Sequence, residues 1–235
     1  MDLYHAYEDH KGWGDTFSYD AREAAIFAGE TRGRRLLSAK ALDIGFGGGS
    51  FMAWARDQGA EVTGIEINPA QVTRAQAQGF DAHAGTLASA NTLDGRKFDL
   101  IVAFDVLEHI DRDELGALFT RVAEHLAPDG RFLARFPNGQ SPAGQVLQTG
   151  DITHRTALSV PAIAQLAPHA GLVLVRGGNS FRQVTGNPLH QAFQRLRYLL
   201  RDLIEVAFSL IYSTGRWPMD ATVTVMLAKP DDNPE

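Results

Sequence analysis

The chain has 235 residues, of which 44% are hydrophobic, so it can bury one sizeable core as a single domain with additions. Its formal net charge of −6 argues against a dedicated nucleic-acid surface, because phosphate binding needs clustered lysine and arginine. The absence of cysteine excludes disulfides, thiolate metal sites and cysteine nucleophiles. The first residues lack the basic start and apolar core of a signal peptide, so a cytoplasmic location is the default expectation.

Apolar runs alternate with helical patterns after residue 39, which predicts an α/β protein with a largely parallel sheet. The predicted strands are Lys40–Ile44, Glu61–Glu66, Asp81–Ala84, Phe98–Phe104, Arg131–Phe136, Leu172–Arg176 and Thr222–Ala228. The predicted helices between them are Ser50–Gln58, Pro69–Gln78, Arg112–His125 and Val160–Ala167. The segment 126–130 contains Pro128 and Gly130, which favour a helix stop and a turn.

A glycine-rich turn, Gly45–Gly49, directly follows the first predicted strand, and Glu66 ends the second one. A glycine turn lets backbone N–H groups approach a ligand, and an acid one strand over can accept hydrogen bonds from both hydroxyls of a ribose. The pair predicts a nucleoside-cofactor site. A nicotinamide dehydrogenase shares both features, but its usual fingerprint has glycine at the position of Ser50.

Two later segments fall outside the alternation. Residues 137–157 are rich in Gly, Pro, Ser and Gln, and we predict a substrate loop there because long ordered loops on α/β scaffolds usually carry function. Residues 189–211 carry an apolar stripe at helical spacing, interrupted by charges that make it too short to cross a bilayer. The stripe consists of Leu189, Phe193, Leu196, Leu200, Leu203, Ala207 and Leu210. It predicts packing on the chain's own sheet edge or site mouth, a homodimer contact, or peripheral contact with a membrane.

Four motifs follow one another in the chain. They are LDIGFGGGSF at 42–51, VTGIEINP at 62–69, FDLIVAFDVLEHI at 98–110 and LAPDGRFLARFPN at 126–138. In order and spacing they resemble class I S-adenosylmethionine-dependent methyltransferases. The resemblance implies a Rossmann-like, doubly wound α/β fold with a seven-stranded, mostly parallel sheet and an antiparallel last strand. The expected divisions are an N-terminal aromatic cap with a helical extension (1–39), a cofactor-binding core (40–187), an amphipathic helical insertion (188–213), and the last strand with a tail (214–235).

The resemblance also implies contacts to S-adenosylmethionine by position. Gly45, Gly47 and Gly49 would border its methionine and ribose parts, and Glu66 would bind the ribose hydroxyls. Asp43 would hold the loop from below, either by capping its N–H groups or by meeting the cofactor's amino group.

Four further cofactor contacts are implied. Ile67 and Leu87 would pack on the two sides of the adenine, with ordinary core packing as the alternative for each. Phe104 and Asp105 would line the methionine end.

The stretch GDITHRTALS at 150–159 resembles methyltransferases of bacterial polysaccharide and secondary-metabolite pathways. It would place His154 on the substrate side, where an imidazole can take a proton from an acceptor hydroxyl because its ordinary pKa is near neutrality. His109 is the second candidate base. The alternative for His154 is a structural histidine bonded to the loop backbone.

A divalent-cation site is a further hypothesis. Asp105, Glu108 and His109, together with His154, resemble the metal-binding group of ubiquinone-pathway O-methyltransferases and small-RNA 2′-O-methyltransferases. These donors suit Mn²⁺, Fe²⁺ or Zn²⁺ better than Mg²⁺, and a metal could lower the pKa of the acceptor oxygen. Because Val-Leu-Glu-His is widespread in class I enzymes that bind no metal, the metal-free interpretation is preferred.

Aromatic residues are concentrated before the first strand. They predict either a lid that excludes water and holds a sulfonium by cation–π attraction, or anchors that fix a leading helix to the sheet. The residues concerned are Tyr4, Tyr7, Lys11, Trp13, Phe17 and Tyr19.

The acceptor is the least determined part. The first expectation is O-methylation of a sugar hydroxyl in a glycan or glycolipid precursor, and the second is a small phenolic or quinone-like metabolite. A catalytically silent methyltransferase-like partner protein is the alternative from another class. No nucleic-acid partner is expected, and the location is cytoplasmic with peripheral membrane contact as an open alternative.

Overall fold

A computed structural model describes residues 16–32, 34–89, 91–212, 215 and 217–230. Seven strands form one sheet with the order β3-β2-β1-β4-β5-β7-β6. The strands are β1 (Lys40–Ile44), β2 (Glu61–Glu66), β3 (Asp81–Ala84), β4 (Phe98–Phe104), β5 (Leu126–Pro137), β6 (Val173–Asn179) and β7 (Thr222–Ala228). The first five run parallel, whereas β7 runs antiparallel between β5 and β6. The predicted fold class, with its antiparallel last strand, is confirmed.

Helices cover both faces of this sheet. They are α1 (Ala21–Glu30), α2 (Ser50–Asp57), α3 (Pro69–Ala77), α4 (Arg112–His125), α5 (Pro142–Gly150), α6 (Val160–Leu166) and α7 (Pro188–Tyr212). One apolar cluster packs β4, β5 and β7 against α4 and α6. Another packs α1 and α2 against the opposite face of β1, β4 and β5. Both sheet faces are therefore buried, as expected for parallel strands that read as continuous apolar runs.

Local sequence signals set the helix starts. Asp20 forms a capping box with Glu23, and Asn68 caps the backbone N–H of Ala70 directly before Pro69. Short polar side chains at these positions satisfy backbone donors that a helix start leaves without partners. The helix starts that the sequence predicts at Ser50, Pro69, Arg112 and Val160 are confirmed.

Two segments differ from expectation, one because strand pairing overrides a local turn signal and one because a capped helix forms inside a predicted loop. Residues 126–137 form one long β5, in which Leu126 pairs with Phe98 and Arg131 with Leu100. The predicted turn at 126–130 is thus a bulge inside the strand. Within the predicted loop 137–157, Pro142–Gly150 is a helix, which begins where the Ser141 hydroxyl accepts the Ala143 N–H at 3.1 Å. Proline at the first helical position favours this start.

The prediction that the 189–211 stripe packs on the chain's own sheet or site mouth is wrong. Its large side chains on α7 point to solvent, with Leu189 85% and Phe193 61% exposed. The buried side chains of α7 are instead Gln194 and Glu205. These two side chains accept hydrogen bonds from Thr185 and Asn179, and hydropathy periodicity alone does not reveal such contacts.

Candidate active site

The glycine loop joins β1 to α2 in a backbone conformation that favours glycine. Gly45, Gly47 and Gly49 have φ values of +66°, +51° and +73°. A Cβ on Gly45 would lie 2.7 Å from a methyl of Val106, and one on Gly49 would lie 2.3 Å from the Phe17 ring. Side chains at these positions would be strained and would clash, so the loop keeps bare backbone where a ligand can approach.

Glu66 lies at the carboxyl end of β2, beside this loop. Its side chain is almost buried, and its two oxygens accept the N–H groups of Gly47 and Asn68, each at 3.0 Å. A carboxylate has about four acceptor positions, so both oxygens keep capacity for the hydroxyls of a ribose. The structure thus brings Glu66 and the glycine loop together at the place where open parallel sheets bind ligands.

Asp43 lies beneath the loop on β1 and is buried. Burial raises the pKa of its carboxyl well above the usual value, and the nearby charge of Glu66 raises it further. A carboxyl in such a place favours the proton-bound form.

The two residues assigned to the adenine lie in different environments. Ile67 follows Glu66 and is 51% exposed, whereas Leu87 is 1% exposed within the core cluster. An exposed isoleucine directly after Glu66 offers an apolar surface to a ligand. Leu87 contributes to the core, in agreement with the alternative assigned to it.

Phe104 and Asp105 end β4 at the same edge of the sheet. The Phe104 ring packs against those of Phe27 and Phe51, with centroids 5.8 and 5.4 Å away. Asp105 has a φ of +57°, and its carboxylate is held by Arg135 through Nε at 3.2 Å and through Nη2. Asp105 is therefore engaged in an ion pair that the sequence interpretation missed. The register of β4 and β5, which pairs Phe104 with Arg135, is the feature that creates it.

A cavity of about 500 Å³ opens next to this ion pair. Asp105, Arg135, Glu108, Asp151 and His154 line one side, and Val146, Leu147 and Phe181 add apolar surface. Glu30 of α1 also reaches the cavity, and its carboxylate accepts the Phe181 N–H at 2.7 Å. Burial raises the pKa of Glu30. The volume lies within the range of ordinary small-molecule sites.

His154 lines the cavity with its ring orientation fixed. Its Nδ1 lies 3.2 Å from the carbonyl oxygen of Gln148, which can only accept a hydrogen bond, so Nδ1 carries the proton. In the neutral ring Nε2 is then the acceptor nitrogen. Nε2 lies 3.9 Å from Oε1 of Glu108 and 3.8 Å from Oδ2 of Asp151.

His109 lies beside His154, with ring centroids 4.7 Å apart in an edge-to-face arrangement. Its Nδ1 is 3.0 Å from the Thr153 hydroxyl, which itself donates to Asp151 at 2.6 Å. His109 thus donates to the 150–159 loop, whose Asp151 and Thr153 stood in the quoted motif without an assigned role. Their spacing, Asp-x-Thr-His, is the signal that could have identified them.

Three of the four predicted metal ligands come together. One ligand atom each of Glu108, His109 and His154 lies within 4.8 Å of the other two. Asp105 does not join this group and pairs with Arg135 instead. Two imidazoles and a carboxylate fit a borderline cation such as Zn²⁺ or Mn²⁺, so these three residues would hold a metal if one binds. The corrected hypothesis excludes Asp105.

Of the N-terminal aromatic residues, Phe17 and Tyr19 are described and anchor the chain before α1. The Phe17 N–H donates to the carbonyl of Gly48 at 2.6 Å, and its ring lies 6.0 Å from Phe46 and 5.4 Å from Phe80. The Tyr19 hydroxyl donates to Asp57 at 2.8 Å. These contacts favour the anchor interpretation for this pair. Tyr4, Tyr7, Lys11 and Trp13 lie outside the described residues.

Comparisons with known proteins agree with this geometry. A family described as a methyltransferase domain matches residues 18–176. Ubiquinone biosynthesis O-methyltransferases from Azorhizobium caulinodans and Methylobacterium nodulans are similar at 28% identity over 119 residues and 32% over 109. These alignments cover 48% and 43% of this chain and 43% of each relative. The chain therefore matches less than half the length of the curated relatives.

Solved structures share the fold over nearly the whole chain. A SAM-dependent methyltransferase from Archaeoglobus fulgidus superposes with a TM-score of 0.65 at 14% identity, covering 97% of this chain and 100% of that one. A magnesium protoporphyrin IX methyltransferase from Synechocystis with bound SAH gives a TM-score of 0.62 at 16% identity, covering 97% of each chain. The sequence motifs, the sheet topology and the family match at 18–176 agree, and the chain belongs to the class I methyltransferases, which use S-adenosylmethionine.

Proposed function

We propose that this protein transfers a methyl group from S-adenosylmethionine to a hydroxyl of a small phenolic or quinone-like acceptor. The observation that carries the proposal is the position of His154, whose acceptor nitrogen lies beside two carboxylates in a cavity next to the carboxyl end of β4. The two curated relatives, both O-methyltransferases of ubiquinone biosynthesis, favour an aromatic hydroxyl over the sugar hydroxyl first expected.

The residues present fit the cofactor. Glycine backbone at 45–49 leaves room for the ligand, Glu66 keeps acceptor capacity for ribose hydroxyls, and exposed Ile67 offers a surface for adenine. When bound, S-adenosylmethionine supplies a sulfonium methyl group that is already activated for displacement. The protein's remaining tasks are to orient the acceptor, exclude water and receive one proton.

His154 is suited to receive that proton. The Gln148 carbonyl holds Nδ1–H, so the lone pair on Nε2 is available to the acceptor hydroxyl. The carboxylates of Glu108 and Asp151 then stabilise the imidazolium that forms. His109 contacts the same loop through Thr153, and we assign it the role of a positioning residue.

The cavity lining suits an acceptor with one apolar and one polar side. Val146, Leu147 and Phe181 can contact an aromatic ring, while Arg135 and the acidic residues supply the polar part of the lining. A sugar hydroxyl remains the second candidate, because the carboxylates of Glu30 and Asp151 at the cavity are acceptors suited to a polyhydroxylated ligand.

The test is methyl transfer from S-adenosylmethionine labelled in its methyl group, with product analysis by mass spectrometry. Two acceptor panels, one of substituted catechols and hydroxyquinones and one of free and lipid-linked sugars, are compared at equal concentration. Methylated phenols with unmodified sugars support the proposal, and the reverse pattern supports the second candidate. If S-adenosylhomocysteine binds but no acceptor pool is methylated, the catalytically silent alternative is favoured.

A further inference from the structure

Helix α7 presents a continuous apolar face to solvent. Its 25 residues extend about 37 Å at 1.5 Å per residue. The large apolar side chains on this face range from 39% to 85% exposed. They are Leu189, Phe193, Leu196, Leu199, Leu200, Leu203, Ile204, Val206, Leu210 and Ile211. A patch of this extent on a soluble surface marks an interaction site.

Polar contacts hold the opposite face of the helix to the protein. The Thr185 N–H donates to the side chain of Gln194 at 2.9 Å, and Asn179 donates to Glu205 at 3.1 Å. Asp202 pairs with Arg182 at 2.6 Å. An ordinary surface helix buries its apolar stripe and exposes its polar one. This helix does the reverse: its polar side chains contact the protein, and its apolar side chains face solvent.

Several charges on the helix are paired with other parts of the protein. Glu205 is buried and accepts a hydrogen bond from Asn179, Asp202 pairs with Arg182 although 44% of its side chain is exposed, and Arg201 lies 3.5 Å from Asp220. Arg195 and Arg197 are exposed. At 100° per residue they lie at the two opposite borders of the apolar arc. The exposed edges of the face are therefore cationic, although the whole chain has a net charge of −6.

We infer that this face docks on a membrane surface that contains anionic lipid. An apolar arc bordered by arginines is the pattern of helices that lie in the bilayer interface, where acyl chains receive the leucines and anionic headgroups pair with the arginines. A second copy of the chain offers no such match, because both carboxylates of its helix are already paired, with Arg182 and with Asn179. Among the described helices, none is long and apolar enough to cross a membrane, so α7 would lie on the surface.

The docking face is connected to the catalytic cavity. Residues 180–187 link β6 to α7, and Ser180 and Phe181 of this link also line the cavity. On the other side, the Ser141 hydroxyl before α5 donates to the carbonyl of Met219, in the segment that follows α7. Surface binding through α7 would therefore place the cavity near the lipid interface. The inference concerns binding alone and does not depend on the acceptor's identity.

The test is co-flotation of the full chain with vesicles of phosphatidylcholine, with and without about one quarter phosphatidylglycerol. We expect binding that is stronger with the anionic lipid. The double variant Leu196→Asn/Leu203→Asn should lose it, because half of each leucine is exposed and the change leaves the core intact. Leu37→Asn, which alters a leucine of similar exposure outside α7, should bind as the unmodified protein does.

A second pair of variants separates charge from apolar contact. Arg195→Gln/Arg197→Gln should weaken binding to the anionic vesicles about thirty-fold at low salt, since each arginine near such a surface contributes about 1 kcal/mol. Arg74→Gln/Arg112→Gln, on exposed sites of α3 and α4, is the matched control. Absent vesicle binding, or binding unchanged by the leucine variants, overturns the inference. Sedimentation that shows a dimer abolished by Leu196→Asn/Leu203→Asn, without vesicle binding, would assign the face to a second copy instead.

Discussion

The guanidinium of Arg135 holds the carboxylate of Asp105 across the ends of two neighbouring strands. The Asp105 N–H also donates to the Arg135 carbonyl at 2.8 Å, so backbone and side chains join the same two residues. This contact keeps Asp105 in a left-handed conformation, with a φ of +57°, at the edge of the cavity. It also removes Asp105 from the candidate metal ligands and gives it a role in shaping the site.

Arg135→Met should destabilise the protein by about 1–3 kcal/mol, because Asp105 would lose its charged partner in a confined site. The value stays below that of a fully buried pair, since 41% of the Asp105 side chain and 21% of the Arg135 side chain are exposed. Urea denaturation measures the effect. Adding Asp105→Asn to Arg135→Met should recover part of the lost stability, as a double-mutant cycle would measure. If the effects of the two substitutions are additive, the two residues do not interact.

Glu66→Gln should raise the dissociation constant of S-adenosylhomocysteine about 10- to 100-fold, because a charge-assisted hydrogen bond contributes about 1.5–3 kcal/mol. Isothermal titration calorimetry measures the constant. Glu61→Gln, at the exposed start of the same strand, should leave it unchanged. Equal affinity of both variants would contradict the assignment of Glu66 to the ribose.

His154→Ala should keep cofactor affinity and lower kcat about 100-fold or more, which is the usual contribution of a general base. The exposed His169→Ala is the matched control. Single-turnover rates and calorimetry on the same preparations separate chemistry from binding. An unchanged kcat would leave His154 with a structural role, and a loss confined to cofactor affinity would move it out of the acceptor site.

Removal of divalent cations should leave methyl transfer unaffected, in line with the metal-free interpretation. The measurements are activity after exhaustive chelation and elemental analysis of the purified protein. Glu108→Gln should then lower kcat only through the loss of its charge beside His154. Activity lost on chelation and restored by Zn²⁺ or Mn²⁺ would instead support a cation held by Glu108, His109 and His154.

Loss of the proton from the buried Asp43 carboxyl should make the unliganded protein less stable as pH rises. Its folded-state pKa is raised by burial and then by Glu66, so the folded state binds the proton more tightly than the unfolded state does. Its stabilising contribution is complete below the unfolded pKa of about 3.9 and is lost as pH rises toward the folded value.

Asp43→Asn should therefore reduce the fall in unfolding free energy as pH rises above about 4. Urea titrations at several pH values, with the exposed Asp113→Asn as control, measure the slope. A slope identical in the unmodified protein and Asp43→Asn would contradict a raised pKa.

Features that depend on nearby residues were readable from the sequence. The turn at Gly45–Gly49 requires backbone that only glycine tolerates easily, and Glu66 follows directly from the end of its own apolar strand. The helix starts at Ser50, Pro69, Arg112 and Val160 were predicted because periodicity and caps act over one or two turns of chain. The loop 150–159 also carried a local signal, which placed His154 near the acceptor side.

Only the tertiary structure decided which residues that are distant in sequence contact one another. The partner of Asp105 is set by strand register, which places residue 135 beside residue 104. Asp151 and Glu108 meet His154 only when the loop folds back on the end of β4. For α7, the stripe predicted an amphipathic helix but not its orientation. In that orientation Gln194 and Glu205 lie against the protein and accept hydrogen bonds from Thr185 and Asn179, contacts that the hydropathy pattern does not encode.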